Sequence, residues 1–331
     1  MSKILKFSDI EAAQERIQDY VVTTPMLQSS RLNEWLGHRI YFKAEHLQRV
    51  GAFKARGGCN AIRSLLEKHD KVEGVHARSL GNHAQAVAWA AGLFNVPATI
   101  YMPKTVSPVK AQATRGYGAK VVLYDDAVEV DAIEQQINNQ PGHFWISPFN
   151  DAAVIAGQGT ATVEALAQMP HRPDALFAPC GGGGLLSGML VAARHLAPTT
   201  QVIGVEPANA NDAWQSLQAG HIKALTNPSD TVADGARTNV VGDITFAHLQ
   251  QLDDFFTVPE ERIIYWTQWL QHLLKMHIEA TSAMAMDAVV EWLRKQSTTK
   301  TVMVLLSGGN IDAAMMRRLW AEDQLQMIPS L

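Results

Sequence analysis

A chain of 331 residues with 47% apolar and 18% charged residues is long enough to bury a large core, and its composition is globular rather than disordered or fibrous. Its 28 basic and 32 acidic residues are interspersed and leave a net charge of −4, so no basic block is available to neutralise a nucleic-acid backbone. Two cysteines without C-x-x-C spacing exclude a disulfide framework, and neither a secretory apolar region nor a run of about 18 apolar residues occurs, so a soluble cytoplasmic protein with no membrane partner is expected.

The segment "SDIEAAQERIQDYV" predicts an amphipathic helix with Ser8 as its N-cap and Glu11 closing a capping box. Further on, "VGAFKARGGCN" sets Lys54 between Phe53 and Ala55, close to glycines. That is a small, apolar setting for an ammonium that ordinarily stays solvated. Cys59 follows on the predicted helix and is expected to pack as a small hydrophobe.

Short apolar runs then recur, among them "IYFKA", "ATIYM", "KVVLY", "ALFAP", "VIGVE" and "VMVLLS". Helix-patterned stretches such as "NHAQAVAWAAGLF" and "GLLSGMLVAARHL" lie between many of them. This alternation predicts βαβ units, hence an α/β fold whose parallel sheets are covered by helices and whose ligands sit at the carboxyl ends of strands. The length favours two lobes, and the polar, proline-bearing stretches 135–143 and 168–174 are where the chain can cross between them.

Four strand-to-helix or strand-to-turn junctions carry chemistry. In "ARSLGNHAQAVAWAAG" the turn holds Ser79, Leu80, Gly81, Asn82 and His83. Its backbone amides suit a carboxylate; the plainer reading is a helix capped by Ser79 or Asn82. In "APCGGGGLLSG", Gly181, Gly182, Gly183 and Gly184 let backbone N–H groups converge at a helix start, which suits a phosphate. No lysine and hydroxyl follow, so this is not a nucleotide P-loop, and Cys180 before it reads as a packed thiol. "GVEPANAND" carries Glu206 and Asp212, which on their own read as a capping carboxylate and a loop acid. "LSGGNID" ends a strand with Ser307, whose hydroxyl suits a neutral contact to a ring nitrogen. An amine, a phosphate cradle, a carboxylate turn and a ring-nitrogen contact in one α/β chain are together what pyridoxal phosphate requires.

The motifs "TTPMLQSSRLN", "FKAEHLQRVGAFKARGGCNAIRSL", "SLGNHAQAVAWAA", "NDAAVIAGQGTATVEALAQ", "GGGGLLSG", "GVEPANANDAWQS", "TVADGART" and "LSGGNID" follow one another in this order. With them the chain resembles, nearly end to end, the serine/threonine dehydratase and serine racemase group of fold-type II pyridoxal-phosphate enzymes. The resemblance implies a two-lobed, tryptophan synthase β-like fold. Its large cofactor-binding domain would comprise residues 1–72 and 152–331, and its small mobile domain residues 73–151. It implies that Lys54 forms the Schiff base and removes the α-proton, that Phe53 packs beside the ring and that Asn82 meets the ring hydroxyl. Gly181, Gly182, Gly183 and Gly184 would hold the phosphate and Ser307 the pyridine nitrogen. The substrate carboxylate would dock on Ser79, Leu80, Gly81, Asn82 and His83. Glu206, the carbonyl of Ala210 and Asp212 would bind Mg²⁺ or Ca²⁺, and a homodimer is the expected assembly.

The chain also departs from that pattern. Leu80 stands where serine racemases carry a serine, Cys180 where a valine-like residue is common, and Ala280 where a proline usually follows the glutamate Glu279. Leucine exchanges no proton, and racemisation needs an acid–base group on each face of Cα, so elimination is favoured unless Arg78 or another hydroxyl takes that role. The expected activity is an ammonia-lyase acting on L-serine or L-threonine to give a 2-oxo acid and ammonia. Serine racemisation, or dehydration of 3-hydroxyaspartate or a bulkier substrate, are the alternatives. The chain ends soon after Asn310, so the regulatory domain of biosynthetic threonine dehydratases, and feedback control with it, is not expected.

Overall fold

A strand such as Ala175–Pro179, buried at every position, can form only where helices cover both faces of a sheet. The computed structural model, which describes residues 4–226 and 230–331, has this arrangement. Its strands are β1 (Met26–Leu27), β2 (Arg39–Lys43), β3 (Gly74–Arg78), β4 (Ala98–Pro103) and β5 (Lys120–Tyr124), followed by β6 (His143–Trp145), β7 (Ala175–Pro179), β8 (Gln201–Pro207), β9 (Asp254–Val258) and β10 (Thr301–Leu305). They build a six-stranded sheet in the order β1-β2-β10-β7-β8-β9 and a four-stranded sheet in the order β5-β4-β3-β6. Among these described strands β1 alone runs antiparallel to its neighbour; the other strand pairings are parallel. The fold is α/β with parallel-rich sheets. Among the described residues no helix is long and apolar enough to cross a membrane.

Two local expectations are corrected. The first helix spans Phe7–Ile17, so Ser8 lies inside it rather than capping it. Lys6 takes the N-cap position, and its backbone N–H donates to the Asp9 carboxylate at 2.9 Å, the part expected of Glu11. The stretch 135–143 links the helix Ala127–Asn138 to β6 within the four-stranded unit, so the chain does not change sheets there.

Three helices position the site. The helices Lys54–Lys68 and Gly184–Leu196 both pack on the helix Ala152–Gln168. Glycines make the crossings close: a Cβ on Gly157 would stand 2.6 Å from the Arg56 carbonyl oxygen, and one on Gly188 would stand 2.6 Å from the Gly159 nitrogen. The starts of the two outer helices, Lys54 and the glycine loop, are thus referenced to one central helix.

A buried ionic cluster locks the same region. The Arg56 guanidinium donates to both oxygens of Glu45 at 2.8 Å and to Glu164 at 3.0 Å. The Lys43 ammonium pairs with Glu164 and donates to Gln168 Oε1 and the Thr24 carbonyl, each at 2.8 Å. Burial pushes the Glu45 carboxyl up, but the Arg56 guanidinium beside it outweighs that and holds it below the usual range.

Candidate active site

After β10 the chain turns back along the segment that precedes Lys54. The Phe53 N–H donates to the Ser307 carbonyl at 3.0 Å, the Gly309 N–H donates to the Gly51 carbonyl at 3.0 Å, and Ala52 pairs with Gly308 in an isolated antiparallel bridge. Val50 (φ 57°) and Gly51 (φ 69°) make the left-handed bend this requires. Lys54 then opens its helix half-buried, donating from Nζ to the Pro148 carbonyl at 2.6 Å and standing 5.1 Å from the Phe53 ring centre. Among the described residues no carboxylate pairs with it, and burial lowers its pKa to about 8.

The four glycines join β7 to the helix Gly184–Leu196. Gly183 sits at φ 90°, and a Cβ on Gly182 would fall 2.2 Å from the Phe149 ring, so side chains are excluded there. The Thr245 hydroxyl donates to the Gly182 carbonyl at 2.7 Å and steadies the loop. The first N–H groups of a helix have no partner within it, and here they open onto the loop as an anion cradle. Cys180 is buried, and burial pushes its thiol well above the usual range, which suits a packing role rather than a nucleophile.

At the end of β3, the Ser79 hydroxyl accepts from the Gly81 N–H at 3.3 Å. The following helix starts at Asn82 with Gly81 as its N-cap and no capping side chain, so neither Ser79 nor Asn82 caps it. Asn82 is turned elsewhere: its Nδ2 donates to both Glu279 oxygens at 3.2 Å, and its Oδ1 accepts from Asn310 Nδ2 at 2.8 Å. Burial, and then the negative charge of Asp234, raise the Glu279 pKa to about 7. His83 is buried and bonded at 3.0 Å to the Ile146 carbonyl, and burial lowers its pKa to about 3, so the ring stays neutral. Ser307 Oγ lies 3.0 Å from Ser282 Oγ.

Phe53, Lys54, Ser79 to His83, Gly181 to Gly184 and Ser307 all line one cavity of about 570 Å³. An amine without a counter-ion, a loop that excludes side chains and a neutral hydroxyl in one cavity fit pyridoxal phosphate. The cavity also includes Phe149, Lys110, Asp234, Arg237 and Thr281, which no sequence motif assigned a role. Asp234 and Arg237 lie within "TVADGART", a stretch read only for its likeness to relatives; Lys110 carries no signal in its own neighbourhood.

Glu206, Ala210 and Asp212 lie outside this cavity, all buried. The Glu206 carboxylate accepts from the Ala213 N–H at 3.2 Å and the Trp214 N–H at 2.6 Å. Asp212 Oδ1 accepts from the Thr238 hydroxyl at 3.3 Å, while its buried Oδ2 has no hydrogen-bond partner. Burial raises the Asp212 pKa to about 7, and burial together with Asp212 pushes Glu206 well above the carboxylate range. Two buried carboxylates with an unsatisfied oxygen fit a hard cation. Among the described residues no three or more His, Cys, Asp or Glu side chains cluster as a metal site, so a backbone carbonyl would have to complete it.

Comparison with known proteins agrees with this chemistry. The family model described as pyridoxal-phosphate dependent enzyme matches residues 17–308. The chain is 43% identical over 309 residues to an L-threo-3-hydroxyaspartate ammonia-lyase from Saccharomyces cerevisiae, covering 92% of this chain and 93% of that one. It is 38% identical to a serine racemase from Schizosaccharomyces pombe, covering 92% of this chain and 94% of the relative. Among solved structures, the T.th. threonine deaminase superposes with a TM-score of 0.86 at 42% identity, covering 93% of this chain and 99% of that one. The chain therefore belongs to the pyridoxal-phosphate dependent enzymes, with the fold-type II architecture.

Proposed function

We propose that this enzyme is an ammonia-lyase that converts a β-hydroxy amino acid, L-serine or L-threonine in the simplest case, to a 2-oxo acid and ammonia. The observation that carries the reading is the Lys54 amine, lowered to about 8 by burial and paired with no carboxylate among the described residues, in one cavity with Gly181 to Gly184. Pyridoxal phosphate, when bound, supplies the electron sink for the pair left at Cα. Lys54 would anchor it and, as a free amine, would take the α-proton on Nζ; a pKa near 8 suits an amine for this work close to neutrality.

Phe53 would pack beside the cofactor ring, Asn82 would meet its hydroxyl, and Ser307 would offer its nitrogen a neutral hydroxyl. The backbone of Ser79 to His83 orients the substrate carboxylate and so fixes which face of Cα meets Lys54. Leu80 has no proton to exchange, and the Arg78 guanidinium is engaged by Asp131 at 2.6 Å. Neither serves as a second acid–base group, which favours elimination over racemisation. The ammonia-lyase among the relatives, at 43% identity, supports the same choice.

The proposal extends to a divalent cation, Mg²⁺ or Ca²⁺, on Glu206, the Ala210 carbonyl and Asp212, supported by the unpartnered Asp212 Oδ2. It also divides the chain into a large domain of residues 1–72 and 152–331 and a small one of residues 73–151. In support, the four-stranded sheet lies wholly within 74–145 and the six-stranded sheet wholly outside it. A homodimer in the cytoplasm completes the reading; the two free, buried cysteines fit a reducing compartment.

The test is a panel of L- and D-β-hydroxy amino acids, assayed together for ammonia, 2-oxo acid and inverted enantiomer. Equimolar ammonia and oxo acid from L-substrates, with inversion slower by about tenfold or more, is the expected result. Inversion at a rate matching elimination would replace the lyase with a racemase.

A further inference from the structure

Ser307 reaches the cavity just after β10, and behind it, outside the cavity, lies a second buried hydroxyl, that of Ser282 on the short helix Ala280–Ala283. Ser282 Oγ accepts from the Gly308 N–H at 2.8 Å, lies 2.8 Å from the Gly308 carbonyl oxygen and stands 3.0 Å from Ser307 Oγ. Among the described residues Ser307 Oγ has no other hydrogen-bond partner, and neither hydroxyl is hydrogen-bonded to a charged side chain. The backbone around the pair is held. The Glu279 N–H donates to the same Gly308 carbonyl at 3.1 Å, the Gly309 N–H donates to the Gly51 carbonyl at 3.0 Å, and a Cβ on Gly308 would stand 2.7 Å from the Glu279 carboxylate.

A hydroxyl has one hydrogen to give and two lone pairs to fill. The Gly308 N–H fills one lone pair of Ser282, so the single Ser282 hydrogen goes either to the Gly308 carbonyl or to Ser307 Oγ. In the first arrangement Ser307 gives its own hydrogen to Ser282 and turns only lone pairs towards the cavity. In the second Ser282 donates to Ser307, whose hydrogen is released to an acceptor in the cavity. The Gly308 carbonyl keeps the Glu279 N–H in both. Passing from one to the other is therefore a rotation of two hydroxyls that strands no buried polar group.

We propose that Ser282 is a positioning residue: by donating to Ser307 Oγ it turns the Ser307 hydrogen towards the pyridine nitrogen of the cofactor. The inference rests on the reading above in which Ser307 meets that nitrogen. An unprotonated ring nitrogen is an acceptor, so it selects the arrangement in which Ser282 donates to Ser307. A hydroxyl that accepts one hydrogen bond while it donates another is polarised and donates more strongly. Ser282 thus strengthens the contact to the ring without placing a charge beside it. Without Ser282, Ser307 would keep a buried lone pair unfilled and its hydrogen would lose its fixed direction.

The test is a double-mutant cycle on cofactor binding, read without substrate by titrating the apoenzyme with pyridoxal phosphate. Ser307→Ala should weaken binding by about tenfold, and Ser282→Ala by about three- to fivefold. The double variant should bind as Ser307→Ala does, because Ser282 acts through Ser307. In holoenzyme carrying isotopically labelled cofactor, the ring-nitrogen NMR resonance of Ser282→Ala should move towards that of an unbonded pyridine. Ser282→Cys, which keeps the volume but donates weakly, should follow Ser282→Ala in both readouts. Effects that multiply in the double variant, an unmoved resonance, or wild-type behaviour of Ser282→Cys reduce Ser282 to packing and overturn the proposal. If Ser307→Ala leaves binding and resonance as in the wild type, the Ser307 contact itself is wrong and the proposal falls with it. Full coupling in an enzyme that releases ammonia from no β-hydroxy amino acid upholds Ser282 and rejects the lyase reading instead.

Discussion

Lys54 and Arg56 stand two residues apart on one helix, both withdrawn from bulk water, and the fold treats them in opposite ways. Arg56 is met by Glu45 and Glu164 within 3.0 Å, and despite burial these carboxylates hold its guanidinium above the usual range. Among the described residues Lys54 meets the Pro148 carbonyl and the face of Phe53 but no carboxylate, and burial lowers its pKa to about 8. The contrast teaches that a buried cation matched by carboxylates is scaffold, whereas one left unmatched in a cavity is poised for chemistry. Carboxylates divide the same way: Glu45 is held down by Arg56, while burial raises Asp212 and Glu279, neither in an ion pair among the described residues, to about 7.

The largest break in this contrast should come from Lys54→Ala. Turnover should fall by about 10⁴-fold or more, with the urea midpoint close to wild type, since no ion pair is lost. Glu45→Ala should do the reverse, retaining the cavity chemistry while costing about 3–5 kcal/mol in urea unfolding, because Arg56 loses its main counter-ion. The sign of its pH dependence follows from the lowered carboxyl pKa. The Glu45 contribution is fully present above the unfolded carboxylate pKa and is lost as pH falls through the folded value, so the wild type should converge on the variant in strong acid.

Next in size is the Glu206–Asp212 pair. Saturating Mg²⁺ or Ca²⁺ should stabilise the protein by about 2–3 kcal/mol at a hundredfold excess over Kd. Both carboxylates must lose protons to bind, so the gain should be larger at pH 8 than at pH 6, and Asp212→Asn should abolish it. Glu279→Gln should be the mildest, about 1 kcal/mol. A carboxyl raised to about 7 destabilises the fold only where it is forced to ionise, so the variant should gain on the wild type as pH rises from 4 to 8. Chemical denaturation across that range measures it.

Much of the architecture is legible in the chain because buried parallel strands are written as unbroken apolar runs: "ALFAP" is β7, and "VMVLLS" contains most of β10. The glycine loop is legible for a related reason, since only glycine fits against Phe149 at Gly182. Helix starts are read less well. Ser8 has the side chain of a cap, yet Asp9 closes the turn two residues earlier, and Asn82 spends its amide on Glu279 and Asn310. Such contacts depend on how the segments after β3, β10 and the helix Glu260–Leu274 face one another, and no local pattern records that. The Lys110–Asp234 bridge, joining residues 124 positions apart, is hidden for the same reason.

The central claim is that the Lys54 amine is the one that holds the cofactor. Holoenzyme reduced with borohydride, digested and mapped by mass spectrometry should carry a phosphopyridoxyl group on the peptide containing Lys54 and on no other. A label on a different lysine, or no label after the protein has been supplied with pyridoxal phosphate, would contradict the account.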